Sequence, residues 1–420
     1  MWKIRSGVLL VGAALVLSSL GAAAVSASVS APRIDASEIE EVEFDRPPTT
    51  RLQTEAQALQ QDLRIVADAK GWTLREARAD YEAAENVGEL ALFVAEKYPD
   101  VFVGSELSEE PGGPATLFIK GSANEEIREM IDRSPLRVTL QDRQPYSFWE
   151  LEERSHRVHD ALVEAGFSQV ATGFDISERG VIRTGVKTRT GRSVGVERGA
   201  ALEALAEIPR DLQSAVEITI NTVDIVEDEH VYGGVRIDTP GGCTTGWTVV
   251  DGGGTTGVTT AGHCSHPKSN IVAPGEGNPT FVDEHRGSFG DVEWYTTNHF
   301  EPAEFYATAT ARRATLTIEA IASISQGESI CQYGRSSNDR DCSLDVDRIN
   351  QVCTNGGVTN RRLVLMDGDT GIPGDSGGGW SFSNRAYGGH KGNCADVPGQ
   401  EVFSAAAHFP VALGVTVRTQ

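Results

Sequence analysis

Hydrophobic and polar positions follow two different periods along the chain, and the change falls close to residue 230. Upstream, Leu52, Ala56, Leu59, Leu63 and Val66 recur at three- and four-residue steps, the spacing of one helix face. Thr73 with Glu76, Ser122 with Glu125 and Ser147 with Glu150 are spaced as capping boxes, so three helices are expected to start there. Phe148, Leu151, Val158 and Leu162 stripe the last of them. Ala115 to Lys120 and Arg137 to Leu140 read as short strands, which makes 51–229 an α+β region. From His230 onward valine, threonine and glycine dominate, with turns such as Asp251-Gly252-Gly253-Gly254. Many short strands at regular spacing predict an all-β barrel or sandwich over 230–420.

The start of the chain follows neither period. A basic opening, Met1-Trp2-Lys3-Ile4-Arg5, precedes an apolar run from Val8 to Val25 and small residues at Ala24, Ser26, Ala27 and Ala31. That order predicts a secretory signal peptide over 1–27, removed on export. Residues 28–50, small, acidic and holding Pro47-Pro48, read as a linker. All six cysteines (Cys243, Cys264, Cys331, Cys342, Cys353 and Cys394) lie after Gly242, and an even number in an exported domain argues for disulfides. No C-x-x-C pair supports zinc, and the acidic clusters Asp339/Asp341/Asp345/Asp347 and Asp367/Asp369 lack full calcium-loop spacing, so no metal or cofactor is expected.

Net charge is −23. It weighs against nucleic acid or an anionic membrane as a partner, because phosphate binding needs a basic surface. From residue 230 onward there are 20 Asp/Glu against 13 Lys/Arg, which leaves −16 for the first 229 residues.

Two short motifs carry the chemistry. Pro373-Gly374-Asp375-Ser376-Gly377-Gly378-Gly379 sets a hydroxyl among glycines, which let main-chain amides approach a reacting carbonyl. Such a serine needs a base, and Thr259-Thr260-Ala261-Gly262-His263-Cys264 offers an imidazole, with a small pair before it to leave room. A carboxylate must then orient the imidazole. Asp291, in Phe289-Gly290-Asp291-Val292-Glu293-Trp294-Tyr295, sits where a turn glycine leads into a strand; Asp283 is the competitor.

Together the motifs resemble the chymotrypsin-like serine proteases, in particular the secreted bacterial streptogrisin and alpha-lytic protease branch, over roughly the last 190 residues. The order His263, Asp291, Ser376 is the chymotrypsin-type order. The resemblance implies an all-β double β-barrel protease domain over 230–420, preceded by an α+β prosegment over 51–229 that assists folding and blocks the cleft. Val231-Tyr232-Gly233-Gly234 looks like the start of mature family members, which sets the junction near 229/230. It further implies an oxyanion hole from the amides of Gly374 and Ser376, and a buried Asp375–Arg335 pair supporting that loop. Disulfides Cys243–Cys264 and Cys331–Cys342 match family bridges, and Cys353–Cys394 remains; Thr370 stands where the family usually has a cysteine. The resemblance also puts His390, Lys391 and Gly392 on the pocket wall. Lys391 replaces a usual serine, and His390 stands where members specific for acidic residues carry a pocket histidine, which implies a preference for Glu or Asp before the cleaved bond.

The expected protein is thus a secreted, extracellular, monomeric endopeptidase made as a preproprotein. Its partners are protein or peptide substrates and its own prosegment, with no nucleic acid and no membrane after signal cleavage. Two other readings remain open. A secreted esterase would use the Gly374-x-Ser376-x-Gly378 elbow with Asp396 and His408. A protease-like scaffold would bind without catalysis.

Overall fold

Upstream helices begin where a short polar side chain can accept the first free amides. Thr54 does this for α1 (Glu55–Lys70) and Thr73 for α2 (Leu74–Lys97), each in a reciprocal capping box. Between them α1 stops at Gly71, whose φ of 67° suits glycine. Helix α3 (Glu125–Arg133) is capped by Asn124, whose Oδ1 accepts the Ile127 amide at 2.9 Å, and not by Ser122 as its spacing predicted. Ser147 opens α4 (Phe148–Glu164) as expected. Leu52 departs from the predicted stripe: it lies in a strand, Arg51–Gln53, and is exposed, whereas Leu59, Leu63 and Val66 are buried. Ala115–Lys120 is a strand as read, and its parallel partner runs from Val138 to Gln144.

The computed structural model describes residues 51–187, 193–221, 236–238, 242–264, 268, 270–272, 279–297, 301–394 and 399–420. The expected signal peptide, the linker and the 229/230 junction lie outside the described residues. Among the described residues no helix is long and apolar enough to cross a membrane.

The downstream part is all-β and built on two curled sheets. One has five strands in the order Thr280–Gly287, Gly290–Thr296, Thr256–Thr260, Thr248–Asp251 and Val415–Val417, so the last strand returns to its edge. Trp247, Val292, Trp294, Phe305, Phe409 and Val415 fill its core. The second runs Asp339–Asp341, Cys331–Gly334, Gly379–Phe382, Arg385–Asn393, Glu401–Ala405, Val358–Met366 and Val346–Asn355.

This second sheet does not end there. Val352, Cys353 and Thr354 pair antiparallel with Thr172, Ala171 and Val170, so three upstream strands (Val170–Asp175, Val181–Lys187 and Val216–Asn221) continue it. A sheet edge with free amides and carbonyls is thereby satisfied by the chain's own upstream region. Behind the junction α4 lays His159 between the two parts, with Nε2 2.7 Å from Thr354 Oγ1 and Nδ1 3.2 Å from Thr172 Oγ1. At the other end α1 and α2 share one core with the downstream sheet, where Leu59, Leu63, Val66 and Ala77 meet Ile330, Leu344, Phe382 and Tyr387.

Burial first, then the charge of Arg361, pushes the wholly buried His159 down to about 3, so it docks neutral. Its folded value lies below the unfolded 6.5, so its contribution is complete above pH 6.5 and falls as pH drops toward 3. Urea unfolding of the full chain is expected to show a loss of about 2 kcal/mol from this group between pH 7.5 and 5. His159→Gln should remove that part of the pH dependence, and an unchanged profile in the variant would contradict the assignment.

Candidate active site

His263, Asp291 and Ser376 meet at the seam between the two sheets. His263 follows the strand Thr256–Thr260, Asp291 is the second residue of Gly290–Thr296, and Ser376 precedes Gly379–Phe382. The imidazole stands between its neighbours, Nδ1 2.8 Å from Asp291 Oδ2 and Nε2 3.0 Å from Ser376 Oγ. Asp283, the competing carboxylate, lies exposed on the neighbouring strand and accepts the Glu284 amide.

Glycines make room at the contacts. A Cβ on Gly262 would stand 2.8 Å from Asp291 Oδ1 and 3.1 Å from the Val292 amide, so the small residue before His263 serves the carboxylate as much as the imidazole. Gly290 lies at φ 103° with Ser404 Oγ where its side chain would be. That hydroxyl accepts the Asp291 amide at 2.9 Å and faces the Asp291 carbonyl at 3.3 Å, tying the aspartate of one sheet to a strand of the other.

Burial would push Asp291 up. The charges of His263, Lys391 and Arg286 and the hydrogen bond from His263 outweigh it and hold Asp291 well below the usual carboxylate range. Lys391 Nζ lies 3.7 Å from Asp291 Oδ2 and Arg286 Nε 3.6 Å from Oδ1. Lys391, which stands where the resemblance implied a serine, is therefore a neighbour of the aspartate. Arg286 and Ser404 carried no signal in the sequence, since one sits in an exposed-reading strand and the other in an ordinary apolar one.

The serine loop is fastened from a short separate strand, Cys243–Thr244, which pairs with Arg236–Asp238. Thr244 donates its amide to the Ser376 carbonyl at 2.6 Å and its hydroxyl to the Gly374 carbonyl at 2.7 Å. The disulfide Cys243–Cys264 joins the neighbours of Thr244 and His263, so one crosslink positions both sides of the site. The other bridges are Cys331–Cys342 and Cys353–Cys394. Gly374 has φ 112°, a region open to glycine.

Asp375 and Arg335 do not form the buried pair that the resemblance implied. Arg335 is half-buried and donates to Asn338 Oδ1 at 2.8 Å. Asp375 is buried and takes main-chain amides instead, from Ser336 at 2.9 Å, Ser337 at 3.2 Å and Ile372 at 3.2 Å. The reason is Gly334: a Cβ there would lie 1.9 Å from the Asp375 carboxyl carbon, so the carboxylate presses against bare backbone and the turn wraps around it.

His390 is wholly buried. Trp380 Nε1 donates to its Nδ1 at 3.3 Å, which puts the ring proton on Nε2, and burial followed by the charge of His263 holds it down at about 3. Beside it Glu401, also buried, accepts the amides of Thr370 and Gly371 and is pushed well up by burial. Nothing in the sequence Glu401-Val402-Phe403 marks Glu401 as facing the serine loop. Gly392 stands at φ 105° in the same strand. Ser376 is 0% and His263 9% exposed.

No family model and no curated protein matches the chain. Among solved structures it is similar to Nocardiopsis protease, with TM-score 0.37 and 19% identity over 44% of this chain and 98% of that one. It is similar also to Cellulomonas bogoriensis chymotrypsin, with TM-score 0.36 and 23% identity over 46% and 100%. Thermobifida fusca protease A gives TM-score 0.36 and 21% identity over 45% and 98%.

Gly262→Ala should displace Asp291 and slow any casein hydrolysis by the chain roughly a hundredfold with the fold retained, as small misplacements do. Hydrolysis at the parent rate with unchanged circular dichroism would show that the carboxylate tolerates the added methyl.

Proposed function

We propose that the chain is the precursor of a secreted serine endopeptidase in which Ser376 is the nucleophile, His263 the general base and acid, and Asp291 the orienting carboxylate. One observation carries the reading: the His263 ring touches Ser376 Oγ at 3.0 Å and Asp291 at 2.8 Å, although these partners lie 113 and 28 residues away. His263 takes the hydroxyl proton as Ser376 attacks the peptide carbonyl, then returns it to the leaving amine. Water repeats the sequence on the acyl-enzyme. The amides of Gly374 and Ser376 are the proposed donors to the tetrahedral oxyanion, worth about 10²–10³ in rate per donor. Asp375, Arg335 and Asn338 shape the loop beneath them without moving a proton.

Two features support the precursor reading. The upstream strands complete the downstream sheet, and three disulfides suit an oxidising compartment. A released upstream region would act as folding aid and inhibitor, which suits a slow long-range β topology. For the esterase reading, His408 packs against Phe289 and Asp396 lies outside the described residues, which gives that arrangement no support.

At the pocket wall His390 brings a neutral N–H, not a cation, and Glu401 stands next to it. We therefore expect Glu to have no advantage over Gln before the scissile bond in a peptide library at pH 8, and a tenfold preference for Glu would overturn this. Casein hydrolysis and phosphonate labelling by the secreted chain should fall by at least ~10⁴ in Ser376→Ala. Activity surviving that change would sink the assignment of the nucleophile.

A further inference from the structure

Asp62, on α1, reaches into the downstream domain and has no exposed surface. Its two oxygens accept from two downstream arginines. Arg313 donates Nη1 to Oδ2 at 2.8 Å and Nη2 to Oδ1 at 2.9 Å, while Arg340 donates Nε to Oδ1 at 2.7 Å and Nη2 to Oδ2 at 2.8 Å. The Ser383 amide adds a fifth bond, to Oδ2 at 2.7 Å. The sulfurs of Cys331 and Cys342 also lie close to this carboxylate, but they are joined in a disulfide and the oxygens are taken, so the cluster is not a metal site.

Both arginines belong to the downstream part, and their shared carboxylate to the upstream one; Arg340 also donates Nη1 to Ser381 Oγ at 3.0 Å and Nη2 to the Ser381 carbonyl at 3.3 Å on its own side. Arg313 makes five hydrogen bonds, and four go to Gln53, Gln61 and Asp62, with only the Ser383 carbonyl from its own side. A buried guanidinium without acceptors is strongly disfavoured. Ser383 also holds φ 51°, an unusual conformation for a non-glycine residue, which turns its amide toward Asp62. Burial would push Asp62 up, yet Arg313 and Arg340 outweigh it and hold it at about 2, so the carboxylate stays charged.

We propose that Arg313, Arg340 and the Ser383 amide form a carboxylate-binding site on the downstream β domain, occupied by Asp62, which keeps the upstream helix hairpin bound after the chain is cut between the two parts. The occupant is committed by charge complementarity, by the strand Arg51–Gln53 pairing with Ala311–Arg313, and by the apolar face of α1 in the same core. The cut belongs to the precursor reading above, but the clamp does not depend on what makes it.

The test uses the full chain carrying Ser376→Ala, so that self-cleavage plays no part, with a recognition sequence for an added protease inserted between residues 222 and 235. After cutting, fragment retention is followed by gel filtration at falling concentration, with mass spectrometry of each peak. The fragments are expected to co-elute, and Asp62→Asn should weaken their association by on the order of 100-fold or more, the consequence of breaking a buried pair. Lys70→Ala, which removes a partly exposed bridge from the same helix to Asp345, should weaken it less than about tenfold. Parent fragments that separate at once, or an Asp62→Asn effect no larger than that of Lys70→Ala, would overturn the clamp. Should Asp62→Asn fail to fold, Gln53→Ala with Gln61→Ala removes two acceptors of Arg313 and leaves the carboxylate. Unchanged retention in that double variant would overturn the proposal as well. Loss of catalysis is read separately, by labelling Ser376 in the unsubstituted chain.

Discussion

Asp291 is entirely buried and still ionised, because His263, Lys391 and Arg286 surround it with positive charge. A carboxylate in such a place is tolerated only if its partners are held in position, and this requirement organises the seam. Gly262 and Gly290 clear the space, Ser404 fixes the backbone of the aspartate, and Thr244 with Cys243–Cys264 fixes the histidine against the serine loop. The sheets are the frame for these contacts, and the contacts join the sheets.

The upstream region meets this frame in two physically different ways. Near Val170–Asp175 it docks by main-chain pairing with a neutral His159 beside it, an arrangement that weakens as acid charges the imidazole in the undocked state. Near α1 it docks through an apolar face and a charged carboxylate whose low folded value keeps it ionised far into the acid range.

Much of the local structure was legible because it depends on neighbours along the chain. Thr73/Glu76 and Ser147/Glu150 cap helices as their spacing predicts, and the stripe Phe148, Leu151, Val158, Leu162 faces the core. Where two caps compete the prediction failed: Asn124 lies nearer the first turn than Ser122 and takes the amide. The Asp375–Arg335 pair failed for a different reason. Whether a buried carboxylate takes a guanidinium or amides depends on how closely the facing turn approaches, and Gly334 lets it come close enough for amides.

Sequence alone determined the change of hydrophobic period near residue 230, the residue types able to supply nucleophile, base and carboxylate, and the cysteines available for crosslinks, because composition, period and motif spacing are properties of the strand of residues itself. The tertiary structure decided which of these groups touch. It turned Lys391 toward Asp291, left His390 a neutral donor beside Glu401, and put Asp62 between Arg313 and Arg340. Contacts between residues 251 and 278 positions apart leave no mark on local pattern, since they depend on how separate elements pack and on what each burial must neutralise.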